Sequence, residues 1–385
     1  MTECERFLAT ADFAPVDRAY LLPVWAWEET YARWRAEGLP PDAHLGEYFG
    51  TDGGGGGAPQ RLSSPAPVWG MSLFPPLERL VLEETPEYQV IRDEDANTYR
   101  IRKDNPYGSM PQWLQYPVRN REDWEQVVKP RLDAASPERL PPPDELDAWV
   151  ASVRQRDYPL SIYCGSLYGW PRCLMGVEAL SLAFYDDPAL VHEICEHITE
   201  YMIQHMTPLL ERVQFDWGFY WEDMGHKTAS LCSPAIYREF MLPRLQRIAD
   251  LCHAHGVRHI IVDSDGNNDA LIPLWLEVGV NGWRPCEIAA GCDPVALRRQ
   301  YGRDLVLMGG VDKRALAHGP EAIERELLAK IPWLCAQGGF FPQVDHLVPP
   351  DVSLADYTYY AKLLRAIAED PERHLHEARR RGYWE

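Results

Sequence analysis

The stretch "HIIVDSDGN" at residues 259–267 decides how this chain is read. Ile260, Ile261 and Val262 form a short apolar, β-branched run of the kind that becomes a buried strand. The run passes directly into Asp263, Ser264, Asp265 and Gly266. A buried strand that ends in two carboxylates needs a receiver for them, because an unpaired buried charge is costly.

Working outward, the same design recurs. "YPLSIYCGS" (158–166), "FDWGFYWEDMG" (215–225), "VNGWRPCE" (280–287), "LVLMGGVD" (305–312) and "GFFPQVDH" (339–346) each read as an apolar strand. Helix-like stretches alternate with them. "DPALVHEICEHITEYMIQHMTPLLERV" (187–213) opens on Asp187-Pro188, an N-cap followed by a first-turn proline. "SPAIYREFMLPRLQRIADLCHAHG" (233–256) opens on Ser233-Pro234 and stops at Gly256. Repeating strand–helix units imply a parallel sheet. Six strands follow residue 158, and "AYLLPVW" (19–25) supplies a seventh. The expected class is α/β, a (β/α)8 TIM-type barrel with the whole of 1–385 as one domain. Residues 39–157 break the rhythm and are expected to form an insertion that covers one mouth of the barrel. It contains a flexible Gly-rich loop, "TDGGGGGAPQ" (51–60), and a β-hairpin, "YQVIRDEDANTYRIRK" (88–103), around an Asp-Ala-Asn turn.

Hydrophobic residues make up 46% of the 385, ample for a large core. There is no apolar run of about 18 residues, the length that a membrane helix needs. The start, "MTECERFLATADFAPVDRAY", lacks the basic-then-apolar layout of a secretory signal, so a cytoplasmic protein is expected. The 58 acidic and 38 basic residues give a net charge of −20, which argues against nucleic acid or an anionic membrane as partner. The nine cysteines include no CxxC pair and fit small core residues better than a disulfide framework.

Barrel active sites gather at the C-terminal ends of the strands. There this chain places Gly165, Ser166 and Tyr168; Glu222 and Asp223; Asp263 and Asp265; Arg284 and Glu287; Asp312 and Lys313; Asp345 and His346. A ring of acids with one histidine either binds a metal or performs acid–base chemistry. A single strand-end Asp also serves as a helix cap, so the ring carries more weight than any one member. If side chains alternate from Phe340 onward, Asp345 and His346 face opposite ways, and His346 is taken to face the site.

At these residues the chain resembles the uroporphyrinogen decarboxylase superfamily over nearly its whole length. "RFLATADFAPVDRAYLLPVWAWEETYARWRAEGLP" is similar to that family's start. "EDMGHKTASLCSPAIYREFMLPRLQRI" resembles its acid–x–x–Gly segment with the following Ser-Pro and Phe-x-x-Pro. "GGVDKRALAHGPEAIERELL" and "GGFFPQVDHLVPPDVSLADYTYYAKLL" resemble its last two units. The resemblance implies a (β/α)8 barrel and relatives that include dimers, so a homodimer is one expectation.

Two chemistries follow from the resemblance. Decarboxylases of the family take carboxylates off uroporphyrinogen without a cofactor, using an Arg-rich stretch after the first strand and an essential Asp. Here Trp25, Trp27, Glu28 and Glu29 stand in that place. The other branch is corrinoid-dependent methyl transfer, whose thiol-activating members hold zinc on a His-x-Cys-Gly and a later Cys. The matching positions here read Asp263-Ser264-Asp265-Gly266, with the later one near His346.

The leading expectation is therefore a methyltransferase that acts on a small methylated or methoxylated molecule, with the corrinoid supplied by a partner protein. Glu222, Asp263, Asp265 and His346 would hold zinc or a substrate oxygen. Glu222, Asp223 and Asp265 are the candidate catalytic groups. Trp25, Trp27, Trp69, Tyr220 and Trp221 offer apolar walls, and Tyr168, Arg172, Arg284 and Lys313 further substrate contacts. The alternative enzyme is a cofactor-free decarboxylase of tetrapyrrole biosynthesis, with Asp223 or Asp265 as the acid and Arg172, Arg284 and Lys313 gripping carboxylates. A third reading is a binding protein without catalysis on an inherited barrel.

Overall fold

Each of the six apolar runs named above becomes a strand, and all six join one sheet. A computed structural model describes residues 1–52, 72–104, 111–139 and 141–385. Most of the Gly-rich loop, together with Trp69, lies outside the described residues.

The insertion builds a four-stranded antiparallel sheet in sequence order: β1 (Leu80–Glu84), β2 (Tyr88–Arg92), β3 (Thr98–Arg102) and β4 (Gln112–Gln115). The expected hairpin is its centre, with Tyr88 opposite Arg102 and Arg92 opposite Thr98. Its turn is held by the Asp93 carboxylate, which accepts the N–H groups of Asp95 and Asn97.

The larger sheet is parallel: β5 (Ser161–Tyr163), β6 (Trp217–Trp221), β7 (His259–Asp263), β8 (Gly282–Arg284), β9 (Val306–Val311) and β10 (Phe340–Val344). Its order runs from β10 to β5 in sequence, so neighbours in sequence are neighbours in space. Ile260, Ile261 and Val262 of β7 are fully buried, as are Phe340 and Phe341 of β10. Helices between the strands cover the sheet, which is the arrangement a parallel sheet requires. Asp187 caps Pro188–Leu210 by accepting the Leu190 N–H, and Ser233 caps Pro234–Phe240 through Ile236. The stretch 233–256 forms two helices rather than one, Pro234–Phe240 and Leu242–Ala254. Pro243 has no N–H to continue the ladder across the junction.

The seventh strand expected at 19–25 does not form. In its place the segment makes a single parallel bridge, Ala26 to Val348. Side chains take several of its backbone groups: Leu21 N–H donates to Asp52, Ala26 N–H to the Tyr31 hydroxyl, and Pro23 C=O accepts from Gln343, while the Leu21 and Trp25 carbonyls accept the Asp52 and Val348 N–H groups. Pro23 also lacks the N–H a ladder would use. The architecture is thus α/β with six parallel strands among the described residues, and closure into a complete barrel is not seen. No helix among the described residues is long and apolar enough to cross a membrane.

Candidate active site

Register brings the first three site residues together. Trp221, Asp263 and Arg284 are consecutive partners across β6, β7 and β8, so their side chains leave the sheet on the same side. The Arg284 Nε stands 3.4 Å from the Asp263 carboxylate, and its guanidinium lies 5.5 Å over the Trp25 ring. A similar trio sits beside it. Arg172 donates to Asp223 at 2.6 Å while lying 5.5 Å over the ring of Trp221. Asp223 holds a left-handed backbone, φ 43°, which costs a non-glycine residue energy and is typical of residues aimed by a site. Two residues on, Gly225 has no room for a side chain, since a Cβ there would meet the Asp265 carbonyl at 2.1 Å. That approach pins the loop after β6 to the loop after β7.

Asp265 reaches the centre from the second of these loops. Its carboxylate is 3.1 Å from His346 Nε2, and the His346 ring lies between Trp25 and Trp27, 6.1 and 6.2 Å from their centroids. Trp25, Trp221, Asp223, Asp263, Asp265 and His346 together line a cleft of about 160 Å³. Burial raises the Asp263 pKa, opposed by Arg284 and reinforced by Asp265 and Asp223. The hydrogen bond to Asp265 raises the His346 pKa above its usual 6.5, against the opposing effect of burial. The cleft therefore holds an aspartate–histidine pair that favours the protonated imidazole, between two aspartate–arginine pairs.

Other expected residues lie elsewhere. Glu222 is fully buried and turned away from the cleft. Its carboxylate accepts N–H groups of Leu167, Tyr168 and Gly169 and the Ser166 hydroxyl. Tyr220, beside Trp221 and so on the opposite face, is buried and donates to the Leu245 carbonyl. Tyr168 is buried at the start of Gly169–Met175, and among the described residues its hydroxyl has no hydrogen-bond partner. Lys313 stands 3.4 Å from Glu287 and 3.8 Å from Asp345. Asp345 is fully buried and accepts the Ile288 and Lys313 N–H groups, while His346 faces the cleft. Glu222, Asp263, Asp265 and His346 are thus not gathered as a zinc set. Among the described residues no three His, Cys, Asp or Glu side chains come together to hold a metal.

The strand-end reading did not find the aromatic wall contributed by Tyr163, Trp170 and Phe219, or Asp95 in the hairpin turn, which line a second and larger cavity. Alternation along "YPLSIY" and "WGFYW" carries part of that signal; the Asp-Ala-Asn turn carries none beyond its turn chemistry.

A family model described as uroporphyrinogen decarboxylase (URO-D) matches residues 104–367. The chain belongs to the uroporphyrinogen decarboxylase family. The match covers every acid of the cleft and His346, and leaves Trp25 and Trp27 outside. Among solved structures, the chain is similar to a methyltransferase from Methanosarcina mazei, with a TM-score of 0.58 and 16% identity. That likeness covers 95% of this chain and 99% of the other, and it is a likeness of fold. No curated protein matches the chain.

Proposed function

We propose that this protein is an enzyme of methyl transfer, moving a methyl group between a small methylated or methoxylated substrate and a corrinoid carried by a partner protein. The observation that carries the reading is how the cations around the cleft are used. Arg172 is paired with Asp223, Arg284 with Asp263, and Lys313 with Glu287 and Asp345. A porphyrinogen with its many carboxylates needs uncommitted cationic donors. A neutral methyl donor does not.

Breaking a bond from a methyl carbon to a heteroatom leaves the electron pair on the heteroatom. A proton delivered there eases the departure. His346 is the group placed to deliver it, held by the Asp265 hydrogen bond that raises its pKa. The methyl carbon goes to the acceptor, the pair stays on the heteroatom, and the His346 proton completes the neutral product. Asp223 and Asp263 hold two guanidinium groups against Trp221 and Trp25, which stiffens the walls. A cleft of about 160 Å³ takes the methyl-bearing end of a small molecule and is too small for a corrin ring. That size supports an acceptor that approaches from outside on its own protein. Asp263, Asp265 and His346 share the cleft without Glu222, and among the described residues no three such side chains converge as a metal site, so the reading rests on proton delivery by His346. The likeness to a methyltransferase supports a fold able to carry this chemistry.

The same reading takes the parallel sheet as part of a (β/α)8 barrel, with residues 19–26 beside β10 as the closing segment and 39–157 as a cap. The Ala26–Val348 bridge supports the first part, and the cavity lined by both Leu73 and Phe219 supports the second. The test is incubation of the purified protein with reduced cobalamin and a panel of methyl ethers and methylamines, followed by absorbance. Methylated cobalamin with wild type, lost in His346→Ala, supports the proposal. Uroporphyrinogen converted to products with fewer carboxylates would overturn it in favour of decarboxylation. Stoichiometric zinc lost in Asp265→Ala would restore the metal role.

A further inference from the structure

Across Trp221 from the acid cleft lies a cavity of about 510 Å³, and the indole is a wall of both. Its other aromatic walls are Tyr163 of β5, Phe219 of β6 and Trp170 of the helix Gly169–Met175. The Tyr163 ring packs 5.1 Å from Phe219 and 5.8 Å from Trp170, so the three hold one another in place. The polar part comes from the hairpin turn, through Asp95 and Asn97. Asp95 Oδ1 accepts the Leu73 N–H at 2.7 Å, and no hydrogen bond among the described residues uses its other oxygen. Small-molecule sites have this character: roughly 300–1,000 Å³, apolar and aromatic walls, and a few placed polar atoms.

We propose that this cavity binds a flat aromatic molecule without negative charge and carrying one N–H or O–H donor, with the rings against Trp170 and Trp221 and the donor on Asp95. The charge surroundings select against an anion. Asp93 and Glu94 add their negative charge to that of Asp95, which repels an anion. Arg139 offsets part of that charge, and Arg172 over Trp221 is already neutralised by Asp223, so the field at Asp95 stays negative. A neutral donor satisfies the carboxylate at no such cost. The inference concerns binding alone and stands whether or not methyl transfer is the reaction.

Two fluorescent probes test it on the full chain. N-phenyl-1-naphthylamine is neutral with one N–H; 8-anilinonaphthalene-1-sulfonate has the same rings and N–H with an added anion. The first is expected to bind saturably at one site per chain, at least about tenfold tighter than the second, the scale of one unfavourable charge contact. Asp95→Asn should narrow that gap to a few-fold. Cys173 also lines the cavity, so bound N-phenyl-1-naphthylamine should slow its alkylation by iodoacetamide. Cys173→Trp should abolish binding of the neutral probe, with Cys173→Ser as the variant that keeps it. Equal affinity for both probes, or no protection of Cys173, overturns the proposal. So does unchanged binding in a Cys173→Trp protein with a native melting transition. Should that variant fail to fold, the alkylation result and Asp95→Asn decide.

Discussion

The substitution Glu222→Gln separates a buried structural carboxylate from a catalytic or metal-binding one. In the fold this side chain meets four donors, from Ser166, Leu167, Tyr168 and Gly169. Burial pushes its pKa up to about 7 from the ordinary 4.5, and the four donors only partly offset that effect. A raised carboxyl pKa means that the fold binds the proton more tightly than the unfolded chain does. The stabilising contribution is complete below 4.5 and is lost as pH rises through about 7. Between pH 5 and pH 8 the linkage relation gives a loss on the order of 2–3 kcal/mol from this one group. The amide that replaces the carboxyl does not titrate, so in the variant this contribution is absent. The assay is urea unfolding of both proteins at pH 5, 6, 7 and 8. The wild-type-minus-variant difference should move toward the variant by about 2–3 kcal/mol, read from the unfolding midpoints and slopes. A difference constant with pH would refute the reasoning, because it would mean that the four donors hold the anion as well as water does. Complete loss of turnover in a variant of native stability would return Glu222 to the catalytic list.

The remaining predictions concern the cleft and its supports. His346→Ala should lower methyl transfer by roughly 10²–10⁴, the usual range for a lost proton donor, read from initial rates. Because Asp265 raises the His346 pKa, activity should fall as pH rises through a value above 6.5. Asp265→Asn should move that limb to lower pH in a pH–rate profile. The stability that the pair contributes is complete below 6.5 and is lost as pH rises through the raised value, so the variant should lose stability chiefly at acidic pH. Gly309→Ala would place a Cβ 1.9 Å from the Pro285 carbonyl at φ 96°, and should cost roughly 3 kcal/mol or prevent folding, read from the melting temperature. Ser233→Ala removes the acceptor for the Ile236 N–H and should cost about 1 kcal/mol by urea unfolding, with activity kept.

What could be read from the sequence depended on where each backbone group found its partner. The six strands after residue 158 were legible because their apolar runs are continuous and buried between helices, so no local rule competes. Residues 19–25 have the same composition, yet Pro23 and the side chains of Asp52 and Tyr31 take over the bonds that a ladder would have made. Asp52 is 31 residues from Leu21, and no local pattern announces that bond. The ring of acids divides for the same reason. Asp345 and His346 separate by simple alternation, and the structure places Asp345 on backbone N–H groups and His346 in the cleft. Glu222 and Asp223 also adjoin, but what turns Glu222 inward is a set of donors 53 to 56 residues earlier, on a loop whose shape the strand pattern does not specify. Asp223 is then left to adopt its left-handed backbone and meet Arg172. A carboxylate at a strand end thus has two fates, cap or site. The choice is made by whether a distant loop offers it N–H groups, and a single chain read in order shows the acids but not the donors.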